Sequence, residues 1–293
     1  MPQPLPARCN DGSGRPPRLV PFLNLGNLED LPAGSDAPTG SEAEVLAGLR
    51  EAGFEGVQGA SAESAAAAGL RCAEFARVNQ PGEIADTARR WADAGVPLGT
   101  LHVGWGMETD AEIDAIVDDL LAAEDATGVG IYVETHRSTI TQDCFRTVEL
   151  LKRRPRLGIN GDFSHWYTGL EMPYAGMDAV CDFIGPVFER VRFLHGRIGN
   201  SGCIQVDAGR DVAHALSLPH VQDFATMWTH AFRAFKQDAQ PGDWLGFAPE
   251  LLKPSINYAR LFPDGNGGWR EECDRWQQAL LYRELALQLF EAA

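Results

Sequence analysis

The chain has 293 residues, 44% of them hydrophobic and 23% charged, enough for one large α/β domain with a sizeable core. Its 41 acidic and 25 basic residues give a formal net charge of -16. The densest basic run, Lys152-Arg153-Arg154-Pro155-Arg156, falls where a helix should end and answers its dipole, so a nucleic-acid partner is not expected. No stretch is long and apolar enough to span a bilayer, and residues 1–18 lack the apolar core of an export signal. Cysteines at 9, 72, 144, 181, 203 and 273 form neither a CxxC pair nor a regular framework, so reduced thiols, a cytoplasmic setting and no membrane association are expected.

Residues 1–18, rich in Pro, Gly and Arg, read as a flexible N-terminal tail. From Leu19 onward, apolar runs alternate with amphipathic stretches, the pattern of βα units and a parallel sheet. Strands are expected at 19–25, 56–58, 73–78, 97–103, 130–134, 157–163, 191–197 and 244–250. Ser41-Glu42-Ala43-Glu44 offers a capping serine and an acidic first turn for a helix ending near Gly53. Thr109 or Asp110 can cap a second helix over 111–126, which Gly128 stops. A terminal helix over 268–290, with Trp269, Trp276, Leu281 and Leu285, should close the barrel bottom or join a neighbouring subunit. Residues 26–40 and 199–218 are long for βα loops, and both should lie over the open mouth. Eight units without a composition shift predict a single domain over 19–293, an α/β (β/α)8 TIM barrel.

Four motifs each put a metal-type ligand at or just after an apolar run: Val133-Glu134-Thr135-His136, Gly161-Asp162-Phe163-Ser164-His165, Leu194-His195-Gly196-Arg197 and Ala248-Pro249-Glu250. These are the ends of strands five to eight, which converge on the face where parallel barrels keep their reactive groups. Three carboxylates and one imidazole form an oxygen-rich set suited to Mn²⁺ or Mg²⁺, with Co²⁺ or Zn²⁺ as alternatives. Glu134 and Glu250 should face one another across the pocket, so that one removes a proton next to a carbonyl and the other returns one while the cation stabilises an enediolate. Each would have to ligate through one oxygen and keep the other for proton transfer. His102 and Trp105 end strand four and can line the mouth, where an aromatic face stacks on a sugar ring; a packed Trp is the alternative and the commoner outcome. His136 is expected to point away from Glu134 and to serve packing.

The order Glu, Asp with His three residues later, His, then Glu resembles the xylose isomerase-like barrel superfamily, in its sugar phosphate isomerase/epimerase branch. That branch includes ketose 3-epimerases and is more distantly related to endonuclease IV. By element order the resemblance runs roughly from Leu19 to Glu250. It implies Glu134, Asp162, His195 and Glu250 as metal ligands, Glu134 and Glu250 as the acid/base pair, and His165 and Arg197 as groups binding substrate oxygens. It also implies a homodimer or homotetramer. Where ketose epimerases carry an acidic residue soon after the strand-seven histidine, this chain reads Gly196-Arg197-Ile198-Gly199-Asn200, and Glu134 is followed by Thr135-His136-Arg137. Arg137 and Arg197, at two strand ends, suit a carboxylate or phosphate, so an acidic sugar derivative is expected.

The expected function is therefore a divalent-metal-dependent isomerase or epimerase of a small ketose or sugar derivative. A metal-dependent lyase or dehydratase acting on an oxidised sugar or glycoside is the alternative. Phosphodiester cleavage of the endonuclease IV kind is disfavoured, because Gln205-Val206-Asp207-Ala208-Gly209 lacks the Asp-x-His that chemistry calls for and the net charge is acidic. Non-enzymatic sugar binding would follow if one ligand were displaced in the folded chain.

Overall fold

Eight parallel strands close on themselves in the computed structural model, which describes residues 5–293; the first four residues of the expected tail lie outside the described residues. The strands are β1 (Arg18–Asn24), β2 (Gly56–Gln58), β3 (Arg71–Val78), β4 (Leu98–Val103), β5 (Gly130–Glu134), β6 (Gly158–Asn160), β7 (Val191–Gly196) and β8 (Asp243–Pro249). Closure comes from β8, which pairs in parallel with both β1 and β7. The result is the expected (β/α)8 barrel.

The surrounding helices begin where local chemistry can satisfy their free N–H groups. Ser41 and Glu44 make a reciprocal capping box for α1 (Glu42–Glu51), and Thr109 and Glu112 do the same for α4 (Asp110–Thr127). Gly128 ends α4 at φ 73°, a left-handed conformation that an L side chain rarely adopts.

Two cores result. A large outer layer packs helices onto the strands, and a small inner cluster, including Phe22, Leu98, Tyr132, Phe193 and Trp244, fills the barrel below its mouth. Phe22 meets Phe193 edge-on at 5.3 Å and stacks on Trp244 at 5.8 Å. This filling needs glycine on the staves: a Cβ at Gly56 would lie 2.3 Å from Phe22, and one at Gly246 2.3 Å from Phe193.

Three expectations are corrected here. Within the tail, Cys9 and Asn10 pair antiparallel with Trp244 and Asp243, so this segment is a short strand covering the barrel bottom. It is tied down by Asp11, whose Oδ2 accepts from Arg15 at 3.1 Å, Arg18 at 2.7 Å and Arg71 at 3.1 Å. The terminal helix starts at Arg275, not 268, because Asp264 accepts from the N–H groups of Asn266 and Gly268 and turns the chain into a hairpin of Leu261–Pro263 with Trp269–Glu271. Trp269 is consequently 68% exposed, and the helix packs outside the barrel on β1 and β8. Finally, β6 stops at Asn160, two residues before Asp162, where the register with β7 shifts and a short helix (Ser164–Gly169) begins.

Residues 26–40 and 199–218 both reach the segment that follows β8. Asn27 donates to the Pro249 carbonyl at 3.1 Å and accepts from the Leu251 N–H, while Gln205 exchanges hydrogen bonds with the Leu252 backbone at 3.0 and 2.9 Å. Glu250 is thus held in a doubly clamped stretch.

Candidate metal centre

Side chains alternate along a strand, so residues two apart share a face. The inward phase that carries Phe22, Gly56, Tyr132, Phe193 and Ala248 through the barrel reaches Asn24, Gln58, Glu134, His195 and Glu250 at its mouth. There Glu134, Asp162, His195 and Glu250 each place a ligand-type atom within 4.8 Å of all the others. Glu134, Asp162 and His195 are buried, and the Glu250 side chain is 14% exposed.

Neighbouring amides set the orientation of each group. His195 donates from Nε2–H to Gln58 Oε1 at 2.9 Å, and Gln58 in turn donates to Thr100 Oγ1 at 2.9 Å and accepts from Asn24 at 3.0 Å. That fixed proton leaves Nδ1 facing Glu134 Oε2 at 3.2 Å and Glu250 Oε2 at 3.4 Å. Asn160 donates to Glu134 Oε2 at 3.1 Å, and Asn24 to Glu250 Oε1 at 3.1 Å. Asp162 accepts at Oδ1 from the Ser164 N–H and hydroxyl, at 3.1 and 2.5 Å. Its buried Oδ2 accepts no hydrogen bond among the described residues, with Arg197 Nη2 at 3.3 Å and His165 Nε2 at 3.5 Å as its nearest cationic-type neighbours.

Electrostatics bind the cluster together. Burial opposes ionisation of Glu134, but His195 and then His102 hold its carboxyl well below the ordinary range. Burial likewise opposes charge on His195, yet Glu250 and Glu134 raise it to about 9. Asp162 is pushed up to about 6, first by burial; Arg197 opposes this, and the charges of Glu134 and Glu250 add to it. Arg197 bonds Glu250 Oε2 and lies 3.3 Å from Asp162 Oδ2, so it partly neutralises the carboxylates from inside the site.

Three carboxylates, two buried and the third 14% exposed, against one guanidinium and one imidazole leave room for a further positive charge, and Asp162 Oδ2, which accepts no hydrogen bond among the described residues, is a ready donor for it. The set fits a hard divalent cation.

The remaining predicted residues divide. His102 reaches Glu134 Oε1 at 3.3 Å, and His165 is fully buried with Nε2 3.5 Å from Asp162 Oδ2. Arg137 is exposed, with its guanidinium 5.3 Å from the Tyr258 ring. Trp105 is 51% exposed and stacks under Arg77 at 3.6 Å, so it stands on the rim with its ring already covered on one side. The expectation for His136 is corrected: being two residues beyond Glu134 it shares that residue's phase, and its ring lies 4.0 Å from that of His102 and 3.8 Å from that of His165. Burial lowers His136 to about 4 and keeps it neutral.

Tyr258, half-buried over Arg197 at 4.3 Å, was not foreseen, and neither were Asn24, Gln58, Thr100 and Asn160. An aromatic residue in a loop without a strand beside it gives no periodic signal.

No family model matches the sequence, and no curated protein does. Solved structures do. A xylose isomerase-like TIM barrel protein from Mycobacterium smegmatis, solved in complex with magnesium, superposes with a TM-score of 0.55 at 14% identity, covering 93% of this chain and 96% of its own. The probable 3-DHS dehydratase AsbF of petrobactin synthesis from Bacillus anthracis gives a TM-score of 0.52 at 13% identity, covering 92% and 98%. The fold is therefore that of a xylose isomerase-like TIM barrel.

Proposed function

We propose that the protein is a divalent-metal-dependent isomerase or epimerase of a small ketose or sugar derivative, removing a proton next to a carbonyl. The observation that carries this reading is the convergence of four ligand atoms within 4.8 Å at the barrel mouth. Glu134, Asp162, His195 and Glu250 would hold the cation, Mn²⁺ or Mg²⁺ by their oxygen-rich chemistry, with Co²⁺ or Zn²⁺ as alternatives. The magnesium held by the Mycobacterium smegmatis neighbour is in keeping with this choice. When bound, such a cation polarises a carbonyl and offsets negative charge that develops on its oxygen.

The chain's own residues supply the rest. Glu134, which stays ionised, can accept a proton at a carboxylate oxygen, and Glu250, on the other side of His195, can return one. Arg197 Nε and Nη1 and both ring nitrogens of His165 make no hydrogen bond among the described residues, which leaves them for substrate oxygens. Tyr258 covers Arg197 and limits water around it.

A dehydratase or other lyase is the second reading, favoured by one asymmetry. Arg197 and Asn24 occupy both oxygens of Glu250, whereas His165, its Nε2 3.5 Å from Asp162 Oδ2, makes no hydrogen bond among the described residues and can turn a ring nitrogen to a leaving hydroxyl. The Bacillus anthracis neighbour, a probable dehydratase, points the same way. In both readings the substrate is a small, oxygen-rich molecule, and a cytoplasmic setting suits the reduced thiols.

The test is incubation of Mn²⁺- or Mg²⁺-loaded protein with a panel of keto sugars and sugar acids in deuterated water. Deuterium should enter the carbon next to the carbonyl, and Glu134→Gln should reduce exchange by ~10²-fold or more. Exchange with retention of the hydroxyls supports isomerisation, and release of water supports the lyase. Absence of exchange across the panel would overturn both.

A further inference from the structure

We infer that the end of the barrel opposite its mouth holds a binding site for a small oxyanion, a phosphate or a carboxylate, between Arg8 and Arg71. The site is separate from the metal centre and does not depend on it. A cavity of about 340 Å³ lies where the N-terminal segment meets the beginnings of β3, β5 and β8, and its walls include Arg8, Cys9, Asn10, Arg71, Tyr132 and Trp244. None of the residues that line it is acidic. In a chain of net charge -16, a concavity walled by two guanidiniums and no carboxylate reverses the sign locally and concentrates anions.

The positive charges there are only partly matched. Asp11, which bonds Arg71 from outside the cavity, shares one carboxylate oxygen among Arg15, Arg18 and Arg71, so one negative charge faces three positive ones. Among the described residues Arg71 hydrogen-bonds only through Nη2, to that oxygen, and its guanidinium lies over the Trp244 ring at 5.0 Å. Its Nε and Nη1 are left for a ligand. Arg8 donates from Nη1 to the Asp238 carbonyl at 3.0 Å, while its Nε and Nη2 are buried and make no hydrogen bond among the described residues. Buried donors without partners are unfavourable, and the guanidinium fork matches two oxygens of a carboxylate or phosphate.

Two neighbouring observations agree. Arg192, 2% exposed, is lowered to about 10, first by burial and next by the charge of Arg8, so an anion beside Arg8 would relieve a repulsion between buried cations. The carboxylates whose charges reach Cys9 are already engaged. Asp243 accepts from Asn10 at 2.7 Å and from the Gln240 N–H at 2.8 Å, and Glu124 accepts from the Ile131 N–H at 3.1 Å.

Titration calorimetry on the metal-free full chain, at constant ionic strength set with chloride, tests the site with inorganic phosphate and acetate as separate probes. At least one of them should bind wild type one to one and raise its melting temperature, and which one does so tells a phosphate site from a carboxylate site. Arg8→Gln and Arg71→Gln should each weaken that binding roughly tenfold or more, the effect of losing one charge-assisted contact. Each variant is read against its own anion-free form, and a cooperative melt shows that it is folded. Arg137→Gln, altered at the opposite end of the barrel, should bind as wild type does. The site is overturned if neither probe binds, if either Arg8→Gln or Arg71→Gln binds as tightly as wild type, or if the loss comes with Arg137→Gln, which would put the anion at the mouth.

Discussion

Among single residues, Gln58 has the widest reach. Its carbonyl accepts the His195 proton and its amino group is anchored on Thr100, so it selects the tautomer whose Nδ1 lone pair can reach a cation. Gln58→Leu removes that acceptor while keeping a side chain of similar volume. The variant should bind Mg²⁺ roughly 10- to 100-fold more weakly, the usual effect of losing such a partner. Titration calorimetry at fixed pH reads this directly, and an unchanged affinity with an intact fold would show that His195 needs no orientation from Gln58. Glu134, His195 and Glu250 were legible in the sequence because each ends an apolar run, and a charged group there has few packing explanations. Gln58, Asn24 and Asn160 were not. An amide closing a strand, the three residues of β2 and β6 or the seven of β1, resembles any loop polar residue until the strand's inward phase is known. His136 illustrates the same dependence, since the step of two from Glu134 decides its side only if the alternation is counted through the strand end.

At the level of elements, what local chemistry determines was readable and what distant pairing determines was not. The starts of α1 and α4 follow from capping boxes spanning three residues. The strand at Cys9–Asn10 depends on Trp244 and Asp243 at the other end of the chain, and two residues carry no periodicity. The terminal helix was overextended because Trp269 matches its apolar spacing, although the Gly265 to Gly268 stretch cannot hold a helix. The Asp11 hub gives the N-terminal strand a measurable pH signature. Donors from Ser13, and then Arg18, hold the Asp11 carboxyl below the usual carboxylate range. A depressed value means stability that is present above the unfolded value of ~4 and is lost as pH falls below it. Asp11→Asn should lower the melting temperature at pH 7, with the gap to wild type narrowing as pH falls through the acid range. A gap that stays constant with pH would show that packing of the strand, rather than the Asp11 charge, ties it down.

For the whole molecule, a net charge of -16 and a buried group of carboxylates act in the same direction, each making a bound cation stabilising. A ligand that binds only the folded chain stabilises it by RT ln(1 + [L]/Kd), about 2.7 kcal/mol at a hundredfold excess over Kd. For a chain of 293 residues that corresponds to a rise in melting temperature of roughly 4 °C. Mg²⁺ is the informative probe, because its demand for oxygen donors directs it to the carboxylate-rich cluster and away from His102, His136 and His165. Scanning calorimetry with saturating Mg²⁺ against chelator should give that rise in wild type, and Asp162→Asn should abolish most of it. Because Asp162→Asn also removes the carboxylate that the buried Arg197 faces at 3.3 Å, the rise is read for each protein against its own metal-free form. If instead the Mg²⁺-dependent rise persists in Asp162→Asn, the cation is held at exposed acidic residues and the barrel mouth is not its site.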